Sequence, residues 1–488
     1  MTGDNGILLV NLPWFRDGKA GVRAGSRWPH IKGGFENTYL PFPFFLAYAS
    51  ALLKKNGFKT ILLDAVAENL SEAGFFARIN KGFDLIVAET SIPSFHDDMA
   101  ILKKIADIGI RIILCGPNSN IFKEDFLLKY DFISYVMVGE YEETLLELMK
   151  ALKDNKDVSS VAGLIYRQGK EIKKSQNRAL LDIDSLPWPQ RDGLPMQNYL
   201  DVPGAMPMPS VQMVASRGCP FKCAFCLWPQ VMYGGNSYRV RQVKDVVDEM
   251  EYLVVEKGFK SVYFDDDTFN VGKERMLSFC GEIKKRGLNR VPWAIMARPD
   301  LMDSEILKAM SSSGLWAVKY GLESSDQALL DSIGKNMDLK KAIDMISFSK
   351  KLGVRTHLTF TFGLPGETRE TVKRTIELAL KLDPFSVQFS ITTPFPGTHY
   401  YQVLEKQGKI ASFDLNEYDG QFNSVIELDG MDRHELKCAK AEAYRAWEEH
   451  VTKRAGSSLI KKFMRNCREK GLSYSIKRSI GYLKTKRG

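Results

Sequence analysis

Three cysteines, Cys219, Cys223 and Cys226, stand at spacings of four and three in the stretch SRGCPFKCAFCL, Ser216 to Leu227. Thiolates packed this tightly make a metal site. A structural zinc ion asks for four protein ligands, usually as two cysteine pairs, and no second pair exists in the chain. An iron-sulfur cube is normally held by four thiolates, so three would leave one iron open to bind and reduce a ligand. Structural thiols crowded by chance, or a zinc ion completed by a distant residue, are the alternatives that spacing leaves. Asp265, Asp266 and Asp267 are adjacent carboxylates that repel one another unless a cation or a turn engages them. Arg298 offers a fork for a carboxylate, or a plain surface ion pair. His357 and His399 are candidate proton donors, with no special claim on catalysis.

Two series of strands and helices must position these groups. In the first, GILLVNLP, KTILLDAVA, FDLIVAETS, RIILCGPNS and ISYVMVGE read as near-continuous apolar strands separated by helical segments such as Phe45 to Gly57. That rhythm implies a parallel sheet covered on both faces, with its ligand crevice at the carboxyl ends of the strands. Thr90, Ser91, Gly116, Pro117, Gly139 and Glu140 occupy those ends. A hairpin around Gln168 and Gly169 and a proline-rich stretch follow as a linker. The second series repeats strand and helix six times between Val211 and Thr398, which predicts a partial barrel with chemistry at its strand ends.

CxxxCxxC with an aromatic, Phe225, before the third cysteine resembles the signature of radical S-adenosylmethionine (SAM) enzymes. The resemblance implies a 4Fe-4S cluster on Cys219, Cys223 and Cys226 whose open iron chelates SAM. It places the methionyl ammonium at Asp266 and Asp267, the SAM carboxylate at Arg298 and the ribose at Glu323 and Ser324. The adenine side falls to Gly363 and Pro365 of FGLPGET. The doubly wound domain in front, with GP after its fourth strand, VGE after its fifth and AGSRWP in the loop after its first, resembles the cobalamin-binding domain of the B12-dependent branch. There Thr90, Ser91, Gly116, Pro117, Gly139 and Glu140 would meet cobalamin. The DxHxxG sequence that supplies a lower histidine ligand in other cobalamin domains is absent. A Rossmann-like domain that binds substrate, or nothing, is the alternative.

The expected fold is therefore α/β, in four parts. Residues 1–152 form a doubly wound, Rossmann-like (flavodoxin-like) cobalamin-binding domain, and 153–209 the hairpin and linker. Residues 210–410 form a partial (β/α)6 radical SAM barrel, and 411–488 a small α-helical C-terminal region. The resemblance implies cleavage of SAM to a 5′-deoxyadenosyl radical and C-methylation of an unactivated carbon, with flavodoxin or ferredoxin as electron donor. Ring closure or rearrangement without methyl transfer is the rival enzyme reading, and a non-catalytic cobalamin or iron-sulfur sensor the rival from another class. A tRNA methylthiotransferase would carry a second cysteine triad, and only Cys115 precedes Cys219.

The chain of 488 residues has seven cysteines, an odd number that argues against a disulfide framework and for a reducing cytoplasm. No secretory signal is read in MTGDNGILLVNLP, and the longest apolar run, FPFFLAYASALL, is too short to span a membrane. Twelve Lys and Arg stand against the single acid Glu469 from Val451 onward, so this tail exceeds the whole chain's +9 and leaves the remainder slightly negative. Leu459, Ile460, Phe463, Met464 and Cys467 recur there at helical spacing. That pattern suits contact with an anionic membrane surface and a lipid or cell-envelope precursor as substrate, or equally a helix packed on the barrel. Nucleic acid is disfavoured because no aromatic-rich binding module accompanies the charge.

Overall fold

The computed structural model describes residues 6–32, 39–79, 82–420 and 422–455. Strand β1 (Ile7–Asn11) is followed by a loop with three short strands, β2 (Phe15–Arg16), β3 (Lys19–Val22) and β4 (His30–Ile31). Then come α1 (Phe44–Lys55), β5 (Thr60–Asp64), α2 (Glu72–Ile79), β6 (Leu85–Glu89), α3 (Phe95–Asp107) and β7 (Arg111–Cys115). The unit continues through α4 (Pro117–Phe122), α5 (Asp125–Lys129), β8 (Ile133–Met137) and α6 (Glu142–Lys153). Every residue of β1 and β6 is buried, because the sheet is covered on both faces. The parallel strands lie in the order β8, β7, β6, β1, β5, so the winding reverses between β1 and β6. Crevices in such sheets open at that reversal, outside the carboxyl ends.

The hairpin β9 (Leu164–Gln168) and β10 (Glu171–Lys174), expected in the linker, belongs to this sheet and pairs antiparallel with β8. Leu164, Ile165 and Tyr166 are buried against the core, which draws the hairpin in. The outer strand EIKK carries charge along the free edge, and this discourages pairing with another chain. The first sheet therefore extends to Lys174.

The second unit begins with β11 (Ser210–Met213), β12 (Ser216–Gly218), α7 (Leu227–Val231), β13 (Tyr238–Val240) and α8 (Val243–Glu251). It continues with β14 (Ser261–Phe264), α9 (Lys273–Lys285), β15 (Trp293–Ala297), α10 (Ser304–Ser312), β16 (Leu315–Glu323), α11 (Gln327–Ser332) and α12 (Leu339–Lys351). The last elements are β17 (Arg355–Phe362), α13 (Arg369–Leu382), β18 (Ser386–Ile391), α14 (His399–Lys406) and α15 (Arg433–Ala455). Six parallel strands, β11, β14, β15, β16, β17 and β18, form one sheet in chain order, while β12 and β13 make a small antiparallel pair beside it. Along β16 and β17, buried Val318, Tyr320, Leu322, Leu358 and Phe360 alternate with half-buried Lys319, Gly321, Glu323, His357 and Thr359. A closed barrel fills its interior with layers of branched apolar side chains; this one keeps a polar inner face.

Both sheet margins are covered. Phe389 N–H on β18 donates to Tyr444 of α15 at 3.1 Å, and beside β11 the Gln212 amide exchanges hydrogen bonds with Phe42 N–H and Leu40 C=O. One apolar core joins the two units, drawing Phe45 and Tyr48 from α1 together with Trp228 and Tyr233. The basic stretch from Gly456 to Gly488, with its expected amphipathic helix, lies outside the described residues. No described helix is long and apolar enough to cross a membrane.

Candidate active site at the seam between the two units

The cysteine loop leaves β12 through Gly218, whose φ of +87° and 2.2 Å gap between a would-be Cβ and Ser237 C=O exclude any other residue. Its backbone is then stapled from three sides. Gln230 Nε2 donates to the carbonyls of Cys226 at 2.7 Å, Ala224 at 3.1 Å and Cys223 at 3.2 Å. Ala224 N–H donates to Ile333 C=O, and Tyr400 N–H to Ala224 C=O. Phe225 packs on Leu329, Ile333 and Leu364, so the aromatic that flags the motif acts as an anchor for the loop.

Cys219, Cys223 and Cys226 are all partly buried, and burial pushes each thiol up from its ordinary range. A cationic centre would reverse that shift by stabilising the thiolates. Among the described residues no three His, Cys, Asp or Glu side chains stand close enough to share one metal ion.

The three aspartates follow β14 and differ in their partners. Asp266 is fully buried, and its carboxylate accepts from Ala215 N–H and Ser216 Oγ. Burial lifts its pKa to about 6. Asp265 and Asp267 instead face Arg27, which comes from the loop after β1: Nη1 lies 2.8 Å from Asp265 Oδ1, and Nε 2.8 Å from Asp267 Oδ1. Asp267 Oδ2 accepts from Gly218 N–H at 3.0 Å, one residue before Cys219. The Arg27 guanidinium also stands 5.5 Å from the Trp228 ring centre, just past Cys226. Burial opposes its charge, but Asp265 and Asp267 hold it protonated well above the usual range.

Of the other expected SAM contacts, Arg298 and Glu323 stand beside the cysteine loop, and several are engaged by the chain. Arg298 forks onto Asp300, donates to Lys335 C=O and stacks 3.8 Å from the centre of the Phe221 ring, inside the cysteine loop. Glu323 accepts from Lys335 Nζ at 2.8 Å and carries a φ of +70°, rare for a residue with a Cβ. A Cβ on Gly321, two residues earlier on the same strand, would stand 2.6 Å from Glu323 Oε1, so that carboxylate would have to shift. Ser324 is buried and caps the turn at Asp326 N–H. Gly363 N–H donates to buried Glu367, whose pKa burial lifts to about 7, and Gly363 C=O accepts from Tyr400. Pro365 C=O accepts from Ser332 in the same turn.

On the N-terminal sheet, Thr90 Oγ1, both amide atoms of Asn118 and Ser119 Oγ are buried without a hydrogen-bond partner among the described residues. Such groups are costly to leave bare. Trp228 Nε1, across the seam, is in the same state. Helix α4, beginning at Pro117, packs on α7, and this brings the face against the segment that follows Cys226. Asn120 ties Gly116 C=O to Gly139 N–H, while Ser91 hydrogen-bonds Ser94. Glu140, expected beside a cofactor, is spent inside the protein: its oxygens bind Arg217, Arg239 and Leu181 N–H. Arg217 also binds Glu142 at 2.6 Å and lies over the Phe45 and Tyr48 rings.

Sequence reading missed Gln230, Asn118 and Arg217. Gln230 sits four residues after Cys226 at the end of a short helix, a spacing that lets a side chain reach back along one turn. The partners of Arg217 come from the other unit, and Asn118 is marked only by an amide left without a partner among the described residues, so no local pattern announces either.

The chain matches the Radical SAM superfamily over residues 213–379. It is 32% identical over 407 residues to an uncharacterized methyltransferase of Pyrococcus horikoshii, spanning 82% of this chain and 86% of that protein. It is 29% identical to the anaerobic magnesium-protoporphyrin IX monomethyl ester cyclase of Cereibacter sphaeroides, over 85% of this chain and 65% of the cyclase. Among solved structures it is similar to the radical S-adenosylmethionine methyltransferase TsrM from Kitasatospora setae with cobalamin and a 4Fe-4S cluster bound. The TM-score there is 0.66 at 17% identity, covering 91% of this chain and 89% of that one. The cobalamin-dependent S-adenosylmethionine radical enzyme OxsB gives a TM-score of 0.67 at 17% identity, covering 99% of this chain and 71% of OxsB. At this identity the two structural likenesses are likenesses of fold.

Proposed function

The chain belongs to the radical SAM superfamily, alongside relatives named as methyltransferases, and from that premise we propose that it is a cobalamin-dependent C-methyltransferase. The observation that carries the reading is the apposition of the three-cysteine loop to a buried face of unpartnered Thr90, Asn118 and Ser119. When bound, the cluster supplies the electron that cleaves SAM to a 5′-deoxyadenosyl radical, and cobalamin carries the methyl group.

The chain's own residues bind and orient. Cys219, Cys223 and Cys226 would hold the cluster, with Gln230 and Phe225 fixing the loop that presents them. The SAM side would fall to Asp267, Glu323, Ser324, Gly363 and Pro365, the strand-end groups around that loop. Asp266 and Arg298 support it from beneath, by closing the turn at Ser216 and by stacking on Phe221. On the facing sheet Thr90, Asn118 and Ser119 would meet the amide-fringed rim of a corrin, with Ser91, Gly116, Pro117 and Gly139 shaping the approach. The apolar core joining the units excludes water from the seam.

Anaerobic reconstitution with iron, sulfide and hydroxocobalamin, followed by absorbance spectra and 5′-deoxyadenosine assay, tests the assignment. Cluster and corrinoid bands with SAM cleavage support it. A cluster without retained corrinoid removes the cobalamin half, and intact cofactors without SAM turnover leave a sensor. The cyclase relative supports a second reading, ring formation without methyl transfer. Methyl-labelled SAM separates the two, because a cyclase product carries no label. For the substrate we infer a lipid or cell-envelope precursor from the basic tail, with flavodoxin or ferredoxin as reductant. Unchanged liposome binding after deletion of Gly456 to Gly488 would sink the lipid part.

A further inference from the structure

Two arginines cross the seam in opposite directions. Arg27 leaves the N-terminal unit and binds Asp265 and Asp267 of the barrel, while Arg217 leaves β12, two residues before Cys219, and binds Glu140 and Glu142 of the N-terminal unit. The exchange is buried: the Arg27 and Arg217 side chains are 11% and 6% exposed, and their four acids no more than 6%.

The two exchanges are joined at both ends. Asp267, held by Arg27, accepts from Gly218 N–H, and Gly218 sits between Arg217 and Cys219. Glu140, held by Arg217, follows Gly139, whose N–H is bound by Asn120, which also binds Gly116 C=O. Gly116 lies on Glu89: a Cβ there would stand 2.5 Å from Glu89 Cγ. Glu89 in turn stands beside the backbone of Gly25, two residues before Arg27. Gly25 holds a φ of +76°, with Phe42 C=O 2.3 Å from a would-be Cβ, so only glycine fits there. Hydrogen bonds, ion pairs and chain neighbours thus lead from Arg27 through Asp267, Gly218, Arg217, Glu140 and Asn120 to Gly116, which packs on Glu89. This path touches the expected cofactor face on one side and the residue before Cys219 on the other.

We propose that Arg27 and Arg217 are positioning residues that couple occupancy of the N-terminal cofactor face to SAM binding at the cluster loop. A ligand that shifts the strand ends at Gly116 and Gly139 moves the acids that hold Arg217, and through Gly218 it moves the backbone entering Cys219. By linkage the coupling is reciprocal. The proposal rests on the two-cofactor reading above.

The test uses the full chain, reconstituted anaerobically with iron and sulfide, with and without hydroxocobalamin. The dissociation constant for labelled SAM is measured in both states. The wild type is expected to change its SAM affinity by at least about fivefold on loading with corrinoid, the lower end of ordinary coupling. Arg217→Gln and Arg27→Gln should bring that ratio to within about twofold of unity, and Arg217→Lys should restore part of it. A residue that merely stabilises the fold lowers both affinities and leaves their ratio unchanged. Should Arg217→Gln fail to retain its cluster, Glu142→Gln weakens the same exchange from the far side of the seam and keeps the test open. Wild type that retains no corrinoid removes the two-cofactor reading and this coupling with it. Wild type that binds corrinoid, with the variants keeping the wild-type ratio, overturns the coupling alone.

Discussion

Gln230 Nε2 sits 2.7 Å from the Cys226 carbonyl, while Oε1 of the same amide accepts from His399 N–H at 2.8 Å. One side chain thus ties the cysteine loop to the start of α14. Gln230→Ala leaves loop carbonyls without their donor, a loss of about 1–3 kcal/mol concentrated on the loop. The expected outcome is at least about a twofold fall in iron retained after reconstitution, with unchanged far-ultraviolet circular dichroism. Wild-type iron content in the variant would show that the staple is dispensable.

Arg298 gives a sharper discrimination, because two roles predict different kinetics. As a brace on Phe221 and Asp300 it shapes the loop, and Arg298→Lys loses both the planar stack and the fork. The expected result is about a tenfold drop in 5′-deoxyadenosine formation at saturating SAM, with the SAM dissociation constant within about twofold of wild type. A weakened SAM affinity at normal turnover would instead put the guanidinium on the SAM carboxylate.

These two residues also show what was legible in the sequence. Both strand series could be read because each strand is a short apolar run bounded by turn residues, and the cysteine spacing is local. The hairpin at Gln168 was read correctly, but its membership of the first sheet depends on pairing with β8, which no local pattern records. The acids at 265–267 were visible as a group, yet their division of labour follows from Arg27, 240 positions away from Asp267. Glu140 stood at the expected strand end and was claimed by an arginine from the other unit. Strand ends were legible; which side chains there are spoken for by the protein was not.

Asn118 carries a buried amide with neither atom satisfied among the described residues. Asn118→Leu replaces it with an apolar side chain of similar size, which removes a desolvation cost of about 1–3 kcal/mol in the ligand-free protein. The melting temperature of the ligand-free chain should rise, while hydroxocobalamin retained after gel filtration falls at least about tenfold. A gain in stability with undiminished corrinoid would separate Asn118 from the cofactor face.

Glu367 is the buried acid at the FGLPGET turn, its carboxylate accepting from Gly363 and Leu364 N–H. Burial raises its pKa from 4.5 to about 7, against the pull of those two donors. The folded state therefore holds the proton more tightly than the unfolded chain does. Stability contributed by the neutral acid is full below the unfolded pKa, declines as pH rises toward about 7 and is lost above it. The span is on the order of 3 kcal/mol. Glu367→Gln keeps an acceptor oxygen for the turn but cannot ionise. Melting temperatures taken anaerobically between about pH 5 and pH 8 should fall more steeply for wild type than for the variant. Parallel curves would mean that Glu367 titrates in the folded protein as it does in the open chain.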